Sequence, residues 1–294
     1  MFYRFIGIKK GIINEMECEK MQKCIMATIM ALFILLGMGY NTEAAMMKLD
    51  IRVNDMIIKM DSNPYIEEDR TMVPIRTVVE ALGPEEVVWN EEDRSVTIVV
   101  GDKSMIFKID SMSYWVNGVE KTMGVAPVIV NERTMLPLRI IAEELAFNVN
   151  YNPLIRTVAI NNPTAVVSQD LLATNQYNYE DILWLARIVR VEAYSIGYEA
   201  KLAVANVVLN RVKSGRFPMT IKEVIFDTKY STQFPPAHRD SFLTLEPDLE
   251  SWAAAKNALD GNNNIGQSLF FNHKPFPRKS SDLYRIINGQ YFYY

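Results

Sequence analysis

The chain has 294 residues and a mass of 33.7 kDa, room for about two domains at ~150 residues each. Hydrophobic residues make up 49% and charged ones 22%, which excludes a wholly disordered chain. A net charge of −4 and a pI near 5.4 argue against a nucleic-acid binder, and two Cys with two His cannot build a Cys/His zinc framework.

At the N-terminus, Arg4, Lys9, Lys10, Lys20 and Lys23 precede an uncharged apolar run, Cys24–Met38. Thr42 and Ala44 then suit the −3 and −1 positions of a cut near 44–45. Residues 1–45 therefore read as a secretory signal. The run is shorter than the roughly 20 residues of a membrane span, which leaves an uncleaved signal-anchor as the alternative. Cys18 and Cys24 both precede the cut, so thiol chemistry is excluded from the mature chain.

A self-similar unit of about sixty residues follows, twice. Pro64 to Arg76 aligns with Pro127 to Arg139 at an offset of 63, through Arg-Thr-Met-Val-Pro-Ile-Arg and Arg-Thr-Met-Leu-Pro-Leu-Arg. Asn54-Asp55 matches Asn117-Gly118 at the same offset, while Trp89 matches Tyr151 and Arg94 matches Arg156 at 62. Each unit reads strand, turn, helix, strand. Asp50–Ile58 alternates about an Asn-Asp turn, Val78 to Leu82 form a short helix stopped at Gly83, and Val96–Val100 is a β-branched strand. Arg76 and Arg139 sit in Pro-x-Arg corners, and the expectation is that each ties its corner to a carboxylate. Residues 46–174 hold 12 Lys and Arg against 19 Asp and Glu, a balance of −7 that does not favour an anionic polymer. Residues 163–179 are polar and weakly periodic, and read as a linker.

From Glu180 the period becomes helical. Ile182, Leu185, Ala186 and Val189 recur at i, i+3, i+4 and i+7, and Glu192 falls on the same stripe. Arg187 and Arg190 point elsewhere. A carboxyl on an apolar face loses hydration, which raises its pKa and fits it for general-acid work. The alternatives are an Arg partner or a helix that ends early. Leu202 to Arg211 is apolar nearly all round and reads as a central buried helix. Asn206 and Asn210 share one face of it, lining a polar cleft or fixing helix contacts. Thr220 and Glu223 form a capping box. The loop Tyr230 to Pro236 sets Gln233 and Phe234 together, and rings beside amides suit sugars. Trp252 to Leu259 is an Ala-rich helix, and Ser268–Asn272 is a strand for Tyr291–Tyr294 to pair with.

The repeat core Arg-Thr-x-[Val/Leu]-Pro-[Ile/Leu]-Arg resembles the copper amine oxidase N-terminal-like, or stalk, domain of secreted bacterial proteins. The resemblance implies a spacer or surface-attachment module. It brings no copper ligands, because residues 46–162 contain neither His nor Cys. Further on, Glu192-Ala193, Tyr198-Glu199, Val208-Leu209-Asn210-Arg211-Val212, Phe217-Pro218, Gln233-Phe234, Ala258-Leu259-x-Gly261 and Leu269-Phe270-Phe271-Asn272 resemble the cell-wall hydrolase family typified by the spore cortex-lytic enzyme. That family implies a lysozyme-like fold and cleavage of the N-acetylmuramic acid to N-acetylglucosamine bond, usually as a lytic transglycosylase. Its catalytic Glu stands at Glu192. Two departures are plain. Glu192-Ala193-Tyr194-Ser195-Ile196 lacks the family's Arg and second Glu, and Asn288-Gly289-Gln290 stands where it favours Gly-Asn-His.

The expected fold is thus α+β. A β-rich stalk domain (46–162) with a two-fold repeat is followed by a linker (163–179) and a mostly helical catalytic domain with a small sheet (180–294). The expected partner is a peptidoglycan glycan strand, outside the cell, with no metal, no cofactor and no nucleic acid. Glu192 is the expected acid. Gln233, Phe234, Asn272 and Asn210 are candidates for holding sugar. Glu199 opens the next helix, where an acid already suits the dipole, and is the weaker choice of second carboxylate. A non-catalytic glycan clamp and a hydrolytic muramidase remain as alternatives.

Overall fold

The N-terminal half is built on tight hairpins. In the computed structural model, which describes residues 47–83, 86–229 and 231–294, four of them turn on residue pairs with positive φ. These are Asn54-Asp55, Glu68-Asp69, Asn117-Gly118 and Asn131-Glu132. Positive φ at both central residues gives a turn whose twist matches the flanking strands. The expected secretory signal lies outside the described residues.

Among the described residues of this half the strands are β1 (Asp50–Val53), β2 (Met56–Ile57), β3 (Tyr65–Glu67), β4 (Arg70–Pro74), β5 (Glu86–Asn90), β6 (Ser95–Val100), β7 (Lys103–Lys108), β8 (Ser113–Val116), β9 (Val119–Thr122), β10 (Val128–Val130), β11 (Arg133–Pro137), β12 (Asn148–Asn152) and β13 (Thr157–Asn161). They form sheets ordered β12-β13-β1-β2, β10-β11-β4-β3 and β5-β6-β7-β8-β9. In the second sheet β4 and β11 run antiparallel, with Val73 opposite Leu136. Each leads into a helix, α1 (Ile75–Leu82) or α2 (Leu138–Glu144), through a proline in extended conformation. Proline lacks the N–H that a helix start would leave unpaired. α1 buries Ile75, Val78, Val79 and Leu82. Its Arg76, like Arg139 in α2, is exposed. The expected corner ties are absent: among the described residues neither arginine meets a carboxylate. The residue after a buried first helical position points away from the core.

The C-terminal half packs helices. Asn178 caps α3 (Tyr179–Glu192), its side chain accepting from the Asp181 N–H at 2.9 Å while Asp181 accepts from the Asn178 N–H at 3.0 Å. α4 (Tyr198–Lys213) is buried from Ala200 to Leu209, as its uniform apolarity requires. α5 (Ile221–Ile225) starts at the expected Thr220 cap, and α6 (Asp240–Leu243) is one turn. α7 (Leu249–Leu259) presents Ala253, Ala254 and Ala255, all fully buried, and lies against α3 and α4. β14 (Phe270–Asn272), β15 (Leu283–Ile287) and β16 (Gln290–Tyr293) close the domain in the order β14-β16-β15. Phe271 pairs with Phe292, in the expected partnership.

Residues 163–179 run from the N-terminal half to α3 and bond back to β2 and the residues after it. The Ala173 N–H bonds the Ile57 carbonyl at 2.9 Å, Gln176 bonds both the N–H and the carbonyl of Ile57, and Ile58 bridges Leu172. The junction continues in buried charge. Lys256 of α7 is fully buried and meets Asp50 of β1 at 2.8 Å and Asp260 at 3.1 Å. The Tyr177 hydroxyl bonds both of those carboxylates, and Arg52 donates to the Tyr177 carbonyl at 2.7 Å. Met47–Tyr294 accordingly forms one unit. Among the described residues no helix is long and apolar enough to cross a membrane.

Candidate active site

Glu192 is the last residue of α3, one turn beyond the buried Val189 and two beyond the buried Leu185. It is half-buried. Burial lifts its carboxyl above the usual glutamate range, and the nearby Arg211 charge opposes the shift without reversing it. The negative end of the helix dipole pushes the same way as burial. Among the described residues no cation ion-pairs with Glu192. Its sequence neighbours are occupied. Arg190 lies 3.2 Å from Asp248 and stacks 3.8 Å over the exposed Tyr194 ring. Arg187 donates to the Leu245 carbonyl at 2.9 Å and lies over Trp184. Tyr194, Arg190, Val191, Arg239 and Phe242 line a cavity of about 350 Å³.

The cation that Glu192 senses is on α4. Arg211 is 4% exposed. Its guanidinium lies 4.9 Å over Phe217, 5.0 Å over Phe234 and 5.7 Å over Phe270. Its Nε donates to the Leu269 carbonyl at 2.8 Å, and its Nη1 is buried with no hydrogen-bond partner. Desolvation draws its pKa down to about 10, against the pull of Asp227 and Glu192. Sequence reasoning assigned Arg211 no role. The signal was its place on the stripe Val204, Val208, Arg211, at i, i+4 and i+7, inside a helix that should be buried all round.

The other candidates divide. Phe234 is 1% exposed and forms a wall of the Arg211 cage, so its ring is closed to a sugar face. This corrects its expected place at a sugar. Asn210 spends both amide hydrogens on the Gly266 and Ser268 carbonyls, at 2.8 and 2.9 Å, and so clamps a loop. Asn206 does the same work for the Leu202 and Asn262 carbonyls. Glu199 accepts from Asn264 at 3.1 Å at the exposed start of α4. Gln233 and Asn272 are half-buried. Among the described residues the Gln233 side chain hydrogen-bonds Ser231, and Asn272 accepts from the His273 N–H at 2.9 Å.

Residues 52–160 match the family described as copper amine oxidase N-terminal domain, and residues 196–293 match the family described as cell wall hydrolase. The second match starts four residues after Glu192. The first carries no His and no Cys, and the described residues gather no metal-ligand cluster, so the donor set does not fit copper. A spore cortex-lytic enzyme of Oceanobacillus iheyensis is 36% identical over 95 residues, which is 32% of this chain and 33% of that protein. One from Bacillus subtilis is 31% identical over 114 residues, 38% of this chain and 36% of that protein. The chain thus spans about a third of the length of these curated relatives. The solved catalytic domain of the germination-specific lytic transglycosylase SleB from Bacillus anthracis aligns at 28% identity over 42% of this chain and all of that one, with a TM-score of 0.36.

Proposed function

We propose that this chain, a copper amine oxidase N-terminal domain joined to a cell wall hydrolase domain, is a peptidoglycan-cleaving glycosidase with Glu192 as its single acid and base. One observation carries the reading. Glu192 is a half-buried carboxyl at a helix end, shifted toward its protonated form and free of any ion pair among the described residues. The family match and the name of the relatives, spore cortex-lytic enzyme, support a wall glycan as substrate.

In the proposed reaction, protonated Glu192 donates to the glycosidic oxygen between N-acetylmuramic acid and N-acetylglucosamine. The bond to the anomeric carbon breaks as the C6 hydroxyl of the same muramic residue attacks that carbon. The attacking hydroxyl passes its proton to the Glu192 carboxylate, which restores the acid. The product ends in 1,6-anhydromuramic acid, and no water is consumed. Arg211 stabilises the carboxylate between the two transfers and keeps the pKa from rising further. Gln233 and Asn272 hold sugar hydroxyls in this scheme. Glu199, committed to Asn264, takes no part. The same proposal includes a duplicated unit in the N-terminal half, export by residues 1–45 and attachment at the cell surface through the N-terminal domain. The antiparallel pairing of β4 with β11 supports the duplication.

The test is mass analysis of purified peptidoglycan incubated with wild type and with Glu192→Gln. Anhydro-muropeptides from wild type and none from the variant are expected. Products heavier by one water, with a reducing muramic end, would replace the transglycosylase by a hydrolase. Absence of any cleavage by wild type would overturn the enzymatic reading.

A further inference from the structure

Two cavities in the N-terminal half are lined by the same residue types at related positions. The first, about 600 Å³, is lined by Arg76, Trp89, Ile129, Glu132, Arg133 and Thr134 among others. The second, about 410 Å³, is lined by Arg139, Tyr151, Ile66, Asp69, Arg70 and Thr71 among others. Arg76 and Arg139 are 63 positions apart, Trp89 and Tyr151 are 62 apart, and Asp69-Arg70-Thr71 stands 63 before Glu132-Arg133-Thr134. Each cleft takes a helix arginine and a ring from one stretch and a hairpin from the other. The pairing of β4 with β11 brings these parts together.

The chemistry is not that of a fold support. Arg76 and Arg139 are exposed, and among the described residues neither has an ion-pair or hydrogen-bond partner. Tyr151 is exposed. Trp89 is half-buried, and its indole N–H is held by Glu91 at 2.6 Å, which fixes the ring. Thr77 and Arg133 both anchor on Asp61, which lines the first cleft as well. Each cleft therefore offers a flat ring face, a free guanidinium donor, at least one carboxylate acceptor and a threonine hydroxyl. In the first, Arg76, Arg94 and Arg133 balance Asp61, Glu91 and Glu132, and in the second Arg70 and Arg139 face Asp69. Donors and acceptors set together beside a ring suit hydroxyls, each of which gives and takes a hydrogen bond.

We infer that these clefts are a pair of glycan-binding sites for an uncharged sugar chain. Each stacks one sugar ring on Trp89 or Tyr151 and bonds its hydroxyl and acyl oxygens through Arg76 or Arg139. Two sites on one domain raise the effective concentration of any chain long enough to reach both. This binding does not depend on the Glu192 chemistry, and either reading can fail without the other.

The test titrates the full chain, carrying Glu192→Gln, with N-acetylglucosamine oligomers and with polygalacturonate. Trp89 fluorescence is isolated by difference against Trp89→Phe. A saturable fluorescence change with the neutral oligomer is expected, unaffected by salt. Arg76→Ala with Arg139→Ala should weaken binding about tenfold or more at an unchanged melting temperature, since each loses a charged donor on an exposed surface. Trp89→Phe should retain binding by calorimetry, whereas Trp89→Ala loses the first site. No response to the neutral oligomer, a response to polygalacturonate alone that salt abolishes, or binding indifferent to the arginine pair would each overturn the inference.

Discussion

The molecule buries carboxylates in two contrasting ways. At the junction, Asp50 and Asp260 share the fully buried Lys256 and the Tyr177 hydroxyl. At the end of α3, Glu192 is half-buried without an ion-pair partner among the described residues, and the charge that acts on it is a caged arginine. Paired charges hold parts together. An unpaired carboxyl is free to exchange a proton, and the protein bears the cost of charging it.

Substitutions should separate these two roles. Glu192→Gln should lower peptidoglycan cleavage by roughly 10²–10⁴-fold, the usual worth of a positioned acid, read from initial rates of muropeptide release. Lys256→Ala should cost about 3–5 kcal/mol in denaturant unfolding, because two buried carboxylates lose their cation. A loss of activity without loss of stability in that variant would mean that the junction serves the chemistry. Asn178→Ala should cost about 1 kcal/mol by removing the cap of the helix that carries Glu192.

Smaller effects concern pH. Arg211 draws the Glu192 pKa down, so Arg211→Gln should let it rise and move the alkaline limb of the rate profile upward. The folded-state pKa of Glu192 lies above its unfolded value, so the native state binds more protons and stability falls as pH rises through that interval. Glu192→Gln should therefore gain stability relative to wild type at neutral pH and not below the ordinary glutamate range. A difference independent of pH would contradict this.

Local patterns carried much of this organisation in the sequence. The Asn54-Asp55 turn marked the first hairpin, and the helical period set Glu192 on the buried stripe. What failed were properties created by packing. Phe234 read as a sugar platform because a loop sequence does not reveal which ring will close over Arg211. Residues 163–179 read simply as a linker, since their bonds to Ile57 and Lys59 span more than a hundred positions and leave no local pattern. β9 escaped notice because all four of its residues are exposed, which leaves no alternation to read.

The most direct measurement is a carbon-detected NMR titration of the Glu192 side-chain carboxyl in the intact chain. Burial without an ion pair predicts a midpoint above the ordinary glutamate value, shifted further upward in Arg211→Gln. A midpoint at or below that value would mean the carboxyl is solvated or paired, and Glu192 would lose its place as the acid.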